Sequence, residues 1–255
     1  MVIVPTAWKE ERLVESFDVD ILGRLRLQTL FAFLLNAAWN HASGGIYGYK
    51  ELSARNLLWV LIKVQMLIKR LPKWREQITI ETWGKRKVRL YALRDFTITS
   101  ETGKTLVSAT SSWIILDRTS GQPQRFDQKS DSLPWLPGKD ELETNLEKVR
   151  QLNGGKELAR FRVHFSDIDV NRHVNSTKYL EWIIDSHSQE HLETKEITSL
   201  EMSFLSEAME NDEVTVYSEE SGGLELCSVR RTVDKKELCR AHLEWQTAVQ
   251  QGSEK

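Results

Sequence analysis

Cysteine, proline and net charge are all scarce in this chain, and each shortage excludes something. Two cysteines among 255 residues, Cys227 and Cys239, cannot build the disulfide framework of a small secreted domain. They fall in segments that read as neighbouring strands, where two buried thiols in a reduced cytoplasm are expected. A net charge of −2 gives no basic footprint for nucleic acid. No apolar run approaches the ~20 residues needed to span a bilayer. The opening "MVIVPTAWKEERLVE" turns charged too early for a secretory signal and is too acidic for an organelle transit peptide. These absences lead to the expectation of a soluble cytoplasmic protein. Proline is confined too. Three of the five, Pro123, Pro134 and Pro137, stand in one polar stretch with the Gly154–Gly155 pair, which marks a linker.

What remains is ample for a core: 40% apolar residues and nine tryptophans. The pattern occurs twice. In the first half a strand-like "SFDVDI" leads into "LQTLFAFLLNAAWNHA", a helix apolar nearly all round and so expected to be buried. Ile62, Val64, Met66 and Ile68 then alternate with Lys63, Gln65, Leu67 and Lys69 as in a half-buried strand. "QITIETW" continues the alternation, and "LYALRDFTITS-ETGK-TLVSATSSWIILD" reads as a hairpin turning at Gly103. In the second half "ARFRVHFSD" is a strand and "NSTKYLEWIIDSHSQEHL" a helix. Two strands follow, then the hairpin "LELCSVRRTV-DKK-ELCRAHLEWQTA". The element order predicts an α+β fold, a tandem (double) hot-dog in which each antiparallel sheet wraps a central helix. The expected divisions are 1–125, a linker at 126–158 with a short helix at 141–152, and 159–255.

The polar nonapeptide "DIDVNRHVN", residues 167–175, is the most distinctive segment. Asp167, Asp169 and Asn171 match the start of a calcium loop, but Arg172 occupies its glycine position and Lys178 its closing glutamate, so that reading fails. Asn175 and Ser176 suit a helix N-cap, and Asp167 suits a turn. Alternation of Asp169, Asn171 and His173 would gather their side chains if the segment were extended. At the positive start of a helix, such groups can orient a carbonyl and a water. In the first half, "DVDILGRLRLQTL" lacks the constellation when Arg24 is set against Arg172. His41, His187 and His191 read as structural or surface residues.

Three stretches, 55–83, 102–121 and 166–186, resemble the acyl-acyl-carrier-protein thioesterases of plants and bacteria, the D-x-N-x-H-V-N motif most specifically. The resemblance implies catalytic roles for Asp169, Asn171 and His173, and for a further carboxylate that falls on Glu207. It implies hydrolysis of fatty acyl thioesters of acyl carrier protein, with no cofactor and no metal, by a homodimer. The first half would hold the acyl chain around Phe31, Phe33, Leu34 and Leu35. Plant members carry a cysteine directly after the glutamate. Ala208 stands there, so attack by water assisted by Asp169 or Glu207 is expected, or direct attack by a carboxylate. Basic stretches at 69–75 and 84–94 are candidates for docking an acidic carrier. An acyl-coenzyme A thioesterase, a dehydratase of the same fold and a non-catalytic acyl-binding protein are the rival readings.

Overall fold

Seventeen residues with almost no polar face, Leu27–Ser43, form α1, the helix at the heart of the first half. Leu30, Phe31, Leu34 and Ala37 on it are sealed from solvent, each such large side chain stabilising the fold by about 1.5–3 kcal/mol. The computed structural model describes residues 5–43, 45, 47–126, 135–143 and 145–248. The chain divides between Lys148 and Val149 into two compact units.

In the first unit, β1 (Ala7–Leu13), α1, α2 (Tyr49–Ala54), β2 (Leu57–Ile68), β3 (Gln77–Val88), β4 (Tyr91–Ser100) and β5 (Thr105–Asp117) follow one another. The strands lie antiparallel in the order β1-β3-β4-β5-β2, with β6 (Pro123–Gln124) on β5. In the second, the elements are β7 (Lys156–Arg162), α3 (Ser176–Asp185), α4 (Gln189–Thr194), β8 (Lys195–Phe204), β9 (Glu213–Ser221), β10 (Leu224–Arg231) and β11 (Glu237–Thr247). Their order, β7-β9-β10-β11-β8, repeats that of the first sheet. Leu180 and Ile183 of α3 pack into a core with Val214, Val229 and Leu243, all fully buried. The expected double hot-dog is present, and the turn at Gly103 has the positive φ, +78°, that suits glycine.

Four local expectations need correction. The first strand is Ala7–Leu13, and "SFDVDI" is a loop closed by a bridge between Val19 and Leu25. The alternation of β2 breaks at a bulge between Leu61 and Lys63, so Ile62 is only partly buried while Lys63 is 4% exposed. Lys85, the extra residue of a second bulge between Gly84 and Arg86, is fully buried.

These two lysines also account for the missing linker helix. Lys63 donates to the carbonyls of Asn145 and Glu147 and to the Asn145 side chain, and Lys85 donates to the Leu142 carbonyl while facing Asp95 at 3.3 Å. The Asp95 carboxylate accepts the Glu141 amide. The described residues of 141–152 accordingly form no helix, since a helix would have consumed the carbonyls on which these ammonium groups depend. Finally, the second-unit helix is not continuous. The Ile183 carbonyl is met by Ser186 Oγ at 2.7 Å and His187 Nδ1 at 2.9 Å, α3 stops, and Ser188 caps α4.

Candidate active site

The nonapeptide is a tight loop and not an extended segment. Asp169 N–H donates to the His173 carbonyl and Asn175 N–H to the Asp167 carbonyl, both at 2.8 Å, closing a bridge between Ile168 and Val174. Asp169 Oδ1 lies inside the loop, accepting the amides of Asn171 at 2.8 Å and His173 at 3.3 Å. Arg172 turns the chain with φ +66°, a left-handed conformation that costs a non-glycine residue about 1–2 kcal/mol. Asp167 is a turn residue as expected: its Oδ2 accepts the His164 amide, and its Oδ1 meets the Lys178 ammonium at 3.1 Å. Asn175 caps α3, accepting the amide and hydroxyl of Thr177, each at 3.0 Å. The amides of Asn175 and Thr177 are thus used within the loop, which leaves those of Val174 and Ser176 at the start of α3.

The first unit repeats the main bonds of this loop. Asp20 N–H donates to the Arg24 carbonyl and Arg26 N–H to the Asp18 carbonyl; Asp20 Oδ1 accepts the amides of Leu22 and Arg24. Asp18 Oδ2 accepts the Glu15 amide, as Asp167 does that of His164. Gly23, φ +71°, therefore stands against Arg172, one place away from the expected alignment. Asp20 matches Asp169, Leu22 matches Asn171 and Arg24 matches His173. After β2, Lys69 and Arg70 both bond to the Leu106 carbonyl as Leu205 and Ser206 bond to that of Leu238, which sets Leu71 against Glu207.

This duplication separates what builds the loop from what differs between the units. Asp169 does for its loop what Asp20 does in a unit without histidine or asparagine at the equivalent positions, so its carboxylate organises backbone. His173 and Glu207 are brought together: Nδ1 lies 3.2 Å from Glu207 Oε1, both side chains partly exposed. Donation from Nδ1–H to the carboxylate leaves the lone pair on Nε2. Asn171 is partly buried, its amide fixed by Asp169. An Asp169→Asn variant keeps the acceptor oxygen that both amides need, so kcat is expected to stay within about tenfold of wild type, whereas loss of a general base costs about 10²–10⁴. Steady-state rates with Asp20→Asn as a stability control would decide this, and a thousandfold loss in Asp169→Asn alone would return that carboxylate to the chemistry.

No thiolate competes for the role of nucleophile. Cys227 and Cys239 are free and buried, and burial pushes both thiols up. Ala208 is fully buried beside Glu207. Among the described residues no cluster of three or more histidine, cysteine or acidic side chains is arranged to hold a metal ion. No described helix is long and apolar enough to cross a membrane. Of the two basic stretches, 84–94 is partly internal, since Lys85 is buried and Arg94 contacts His41 Nδ1 at 2.9 Å. Lys69, Lys73 and Arg75 in the other are exposed. Sequence reasoning passes over Tyr179 and Arg231, which hold the backbone around Glu207.

The model of the acyl-ACP thioesterase N-terminal domain matches residues 5–130, and that of the C-terminal domain residues 151–248. A chloroplastic acyl-[acyl-carrier-protein] hydrolase of Cuphea viscosissima is 25% identical over 253 residues, 91% of this chain and 61% of that protein. A chloroplastic oleoyl-acyl carrier protein thioesterase of Arabidopsis thaliana is 25% identical over 223 residues, 81% of this chain. The chain spans about three fifths of the length of these relatives, 61% in both cases. The crystal structure of an acyl-ACP thioesterase from Bacteroides thetaiotaomicron superimposes with a TM-score of 0.84 at 27% identity, covering 94% of this chain and 98% of that one. Two hot-dog units in the same order, matched end to end by the two halves of one family, lead to one assignment: the chain belongs to the acyl-ACP thioesterase family.

Proposed function

We propose that this protein hydrolyses fatty acyl thioesters of acyl carrier protein, releasing free fatty acid and ending chain extension. The observation that carries the reading is the contact between His173 Nδ1 and Glu207 Oε1, present in one unit and replaced by Arg24 and Leu71 in the other. Glu207 holds the imidazole in the tautomer whose Nε2 is free to accept a proton. A water attacks the thioester carbonyl as His173 Nε2 takes its proton, and the carboxylate of Glu207 stabilises the imidazolium. The oxyanion faces the start of α3, where the amide of Ser176 and the helix dipole favour negative charge. As the intermediate collapses, the carbon–sulfur bond breaks and the proton on Nε2 passes to the leaving thiolate. Asn171 orients the acyl group.

The reading extends to the division of labour. The second unit carries the reacting groups, and the first, with its apolar α1, takes the acyl chain. Each methylene buried there is worth about 0.8 kcal/mol, enough to discriminate chain lengths. A reducing cytoplasm suits the two free thiols, and a homodimer is the proposed assembly. Fatty acid release from a series of acyl-acyl-carrier-proteins and the matching coenzyme A esters tests the substrate class. The expected result is kcat/KM at least about tenfold higher on the carrier-protein esters, from the added protein contacts. Equal or better turnover of the coenzyme A esters would favour the acyl-coenzyme A reading instead.

A further inference from the structure

Glu207 stands on the turn that follows β8, and its peptide groups are gripped from two sides. Arg231 donates from Nη2 to the Glu207 carbonyl at 3.0 Å and from Nε to Asp212 Oδ2 at 2.9 Å. The same Asp212 oxygen accepts the Met209 amide at 2.8 Å and closes the turn. On the other side the Ala208 amide donates to the phenol oxygen of Tyr179 at 3.0 Å. Tyr179 lies in the first turn of α3, directly after the loop that carries His173. Loop and helix therefore reach both members of the pair, one by the imidazole and the other through the backbone beside Glu207.

The first unit supplies an internal control. Its turn is clamped in the same way: Arg70 donates to the Leu71 carbonyl at 3.3 Å and pairs with Glu76, which accepts the Lys73 amide at 2.9 Å. The second grip is missing there. Pro72 occupies the place of Ala208 and has no N–H, while Leu30 occupies the place of Tyr179 and has no acceptor. The fold thus builds this turn without a phenol when no acid–imidazole contact depends on it. Where the contact exists, a buried amide and a buried phenol meet.

We propose that Tyr179 is a positioning residue for the thioester hydrolysis: by holding the Ala208 amide, its phenol oxygen fixes Glu207 where the carboxylate meets His173. The proposal rests on the reading of His173 and Glu207 as the reacting pair. Ala208 is fully buried, so its amide has no water to turn to if the phenol is lost, and the turn must shift to satisfy it. A displacement of about 1 Å at a reacting group costs roughly a hundredfold in rate. Packing alone does not require the hydroxyl. The ring of Tyr179 meets Trp182 and Phe204 edge-on at 5.3 and 5.8 Å, contacts that a phenylalanine would keep.

The test is a double-mutant cycle of Tyr179→Phe and Glu207→Gln, read as kcat and KM for acyl-acyl-carrier-protein hydrolysis on proteins shown to be folded. Tyr179→Phe is expected to lower kcat about ten- to hundredfold with KM within twofold, and to cause no further loss in the Glu207→Gln background, because it acts through that residue. If Tyr179→Phe does not fold, Ala208→Pro breaks the same bond from the amide side with a residue that the first unit accommodates, and the same pattern is expected. A wild-type kcat in the folded single variant, or an equal loss in both backgrounds, would overturn the proposal and leave the reacting pair standing. An unaltered kcat in Glu207→Gln would overturn the pair and the proposal together.

Discussion

Glu207→Gln and His173→Ala are each expected to lower kcat for acyl-acyl-carrier-protein hydrolysis by about 10²–10⁴, the range for losing a positioned acid–base group. Lost packing does not account for the first of these effects. The Glu207→Gln change is nearly isosteric, and Glu207 is 45% exposed, so stability should change little. What changes is the partner of Nδ1. A neutral amide neither stabilises the imidazolium nor enforces one tautomer, because it offers a donor as readily as an acceptor. The double variant should lose no more than about tenfold beyond the worse single one, since the two groups act as a unit. Multiplicative losses would mean two independent roles, with Glu207 taking its proton from elsewhere.

The largest effect on stability is expected far from that pair, at Glu225. His187 donates from Nδ1 to the Ile183 carbonyl at 2.9 Å and from Nε2 to both oxygens of Glu225 at 3.0 Å, which only a doubly protonated ring can do. Trp245 Nε1–H and the Ser218 hydroxyl also donate to that carboxylate. Burial alone would raise Glu225, but the hydrogen bond and charge of His187, with Ser218 and Trp245, outweigh it and bring the carboxyl to about 2. Burial likewise works against the charge of His187, and Glu225 outweighs it, so the imidazole is raised. Glu225→Ala leaves a buried cation, an indole N–H and a hydroxyl without their acceptor, and should cost about 3–5 kcal/mol in equilibrium urea unfolding.

The sign of the pH dependence follows from the two directions. Glu225, held below its unfolded value, contributes stability above the ordinary carboxylate range that is lost as pH falls through about 2. His187, held above its unfolded value, contributes stability fully present below the ordinary histidine range, and loses it as pH rises through the raised value. The gap between wild type and Glu225→Ala should therefore be widest in between and narrow on both sides. A gap under about 1 kcal/mol near pH 5 would contradict the ion pair as described.

His41 in the first unit shows the opposite arrangement at a comparable position between helix and sheet. Its Nε2–H donates to the Pro5 carbonyl at 2.7 Å and its Nδ1 accepts from Arg94 at 2.9 Å, so the ring is neutral. Burial and then the Arg94 charge lower it to about 4. Each unit thus sets a histidine against its sheet, not at matching helix positions, and the exchange of Arg94 for Glu225 as partner goes with opposite charge states. Nothing in the sequence spacing of these residues announces the exchange, which depends on strands far apart in the chain.

The elements themselves are largely readable because periodicity reports local geometry. α1, β2 to β5 and β8 to β11 all follow from runs that alternate or repeat at helical spacing. Sequence reasoning fails where a tertiary partner decides. Lys63 and Lys85 are buried only because a linker brings carbonyls to them, and the bulges that point them inward have no signature in the strand pattern. The helix expected at 141–152 fails for the same reason. In the candidate site, the motif and the register after β8 single out His173 and Glu207, which the fold brings to 3.2 Å, but the backbone bonds of Asp169 are not read from the motif. The signal is available: "DVDILGRL" and "DIDVNRHV" align without a gap, placing an aspartate at both 20 and 169. Read that way, the shared aspartates hold the backbone of each loop, and the proposed chemistry falls on positions that differ. Tyr179 cannot be singled out, because one tyrosine in an apolar helix looks like core until its partner amide is seen.

The most direct measurement is fatty acid release by the purified protein from a long-chain acyl-acyl-carrier-protein, followed through many turnovers beside folded His173→Ala. Continuous release by wild type, reduced at least about a hundredfold in the variant, is the predicted result. Acyl-carrier-protein that binds but is not cleaved, or release that the variant matches, would contradict hydrolysis at the His173–Glu207 pair.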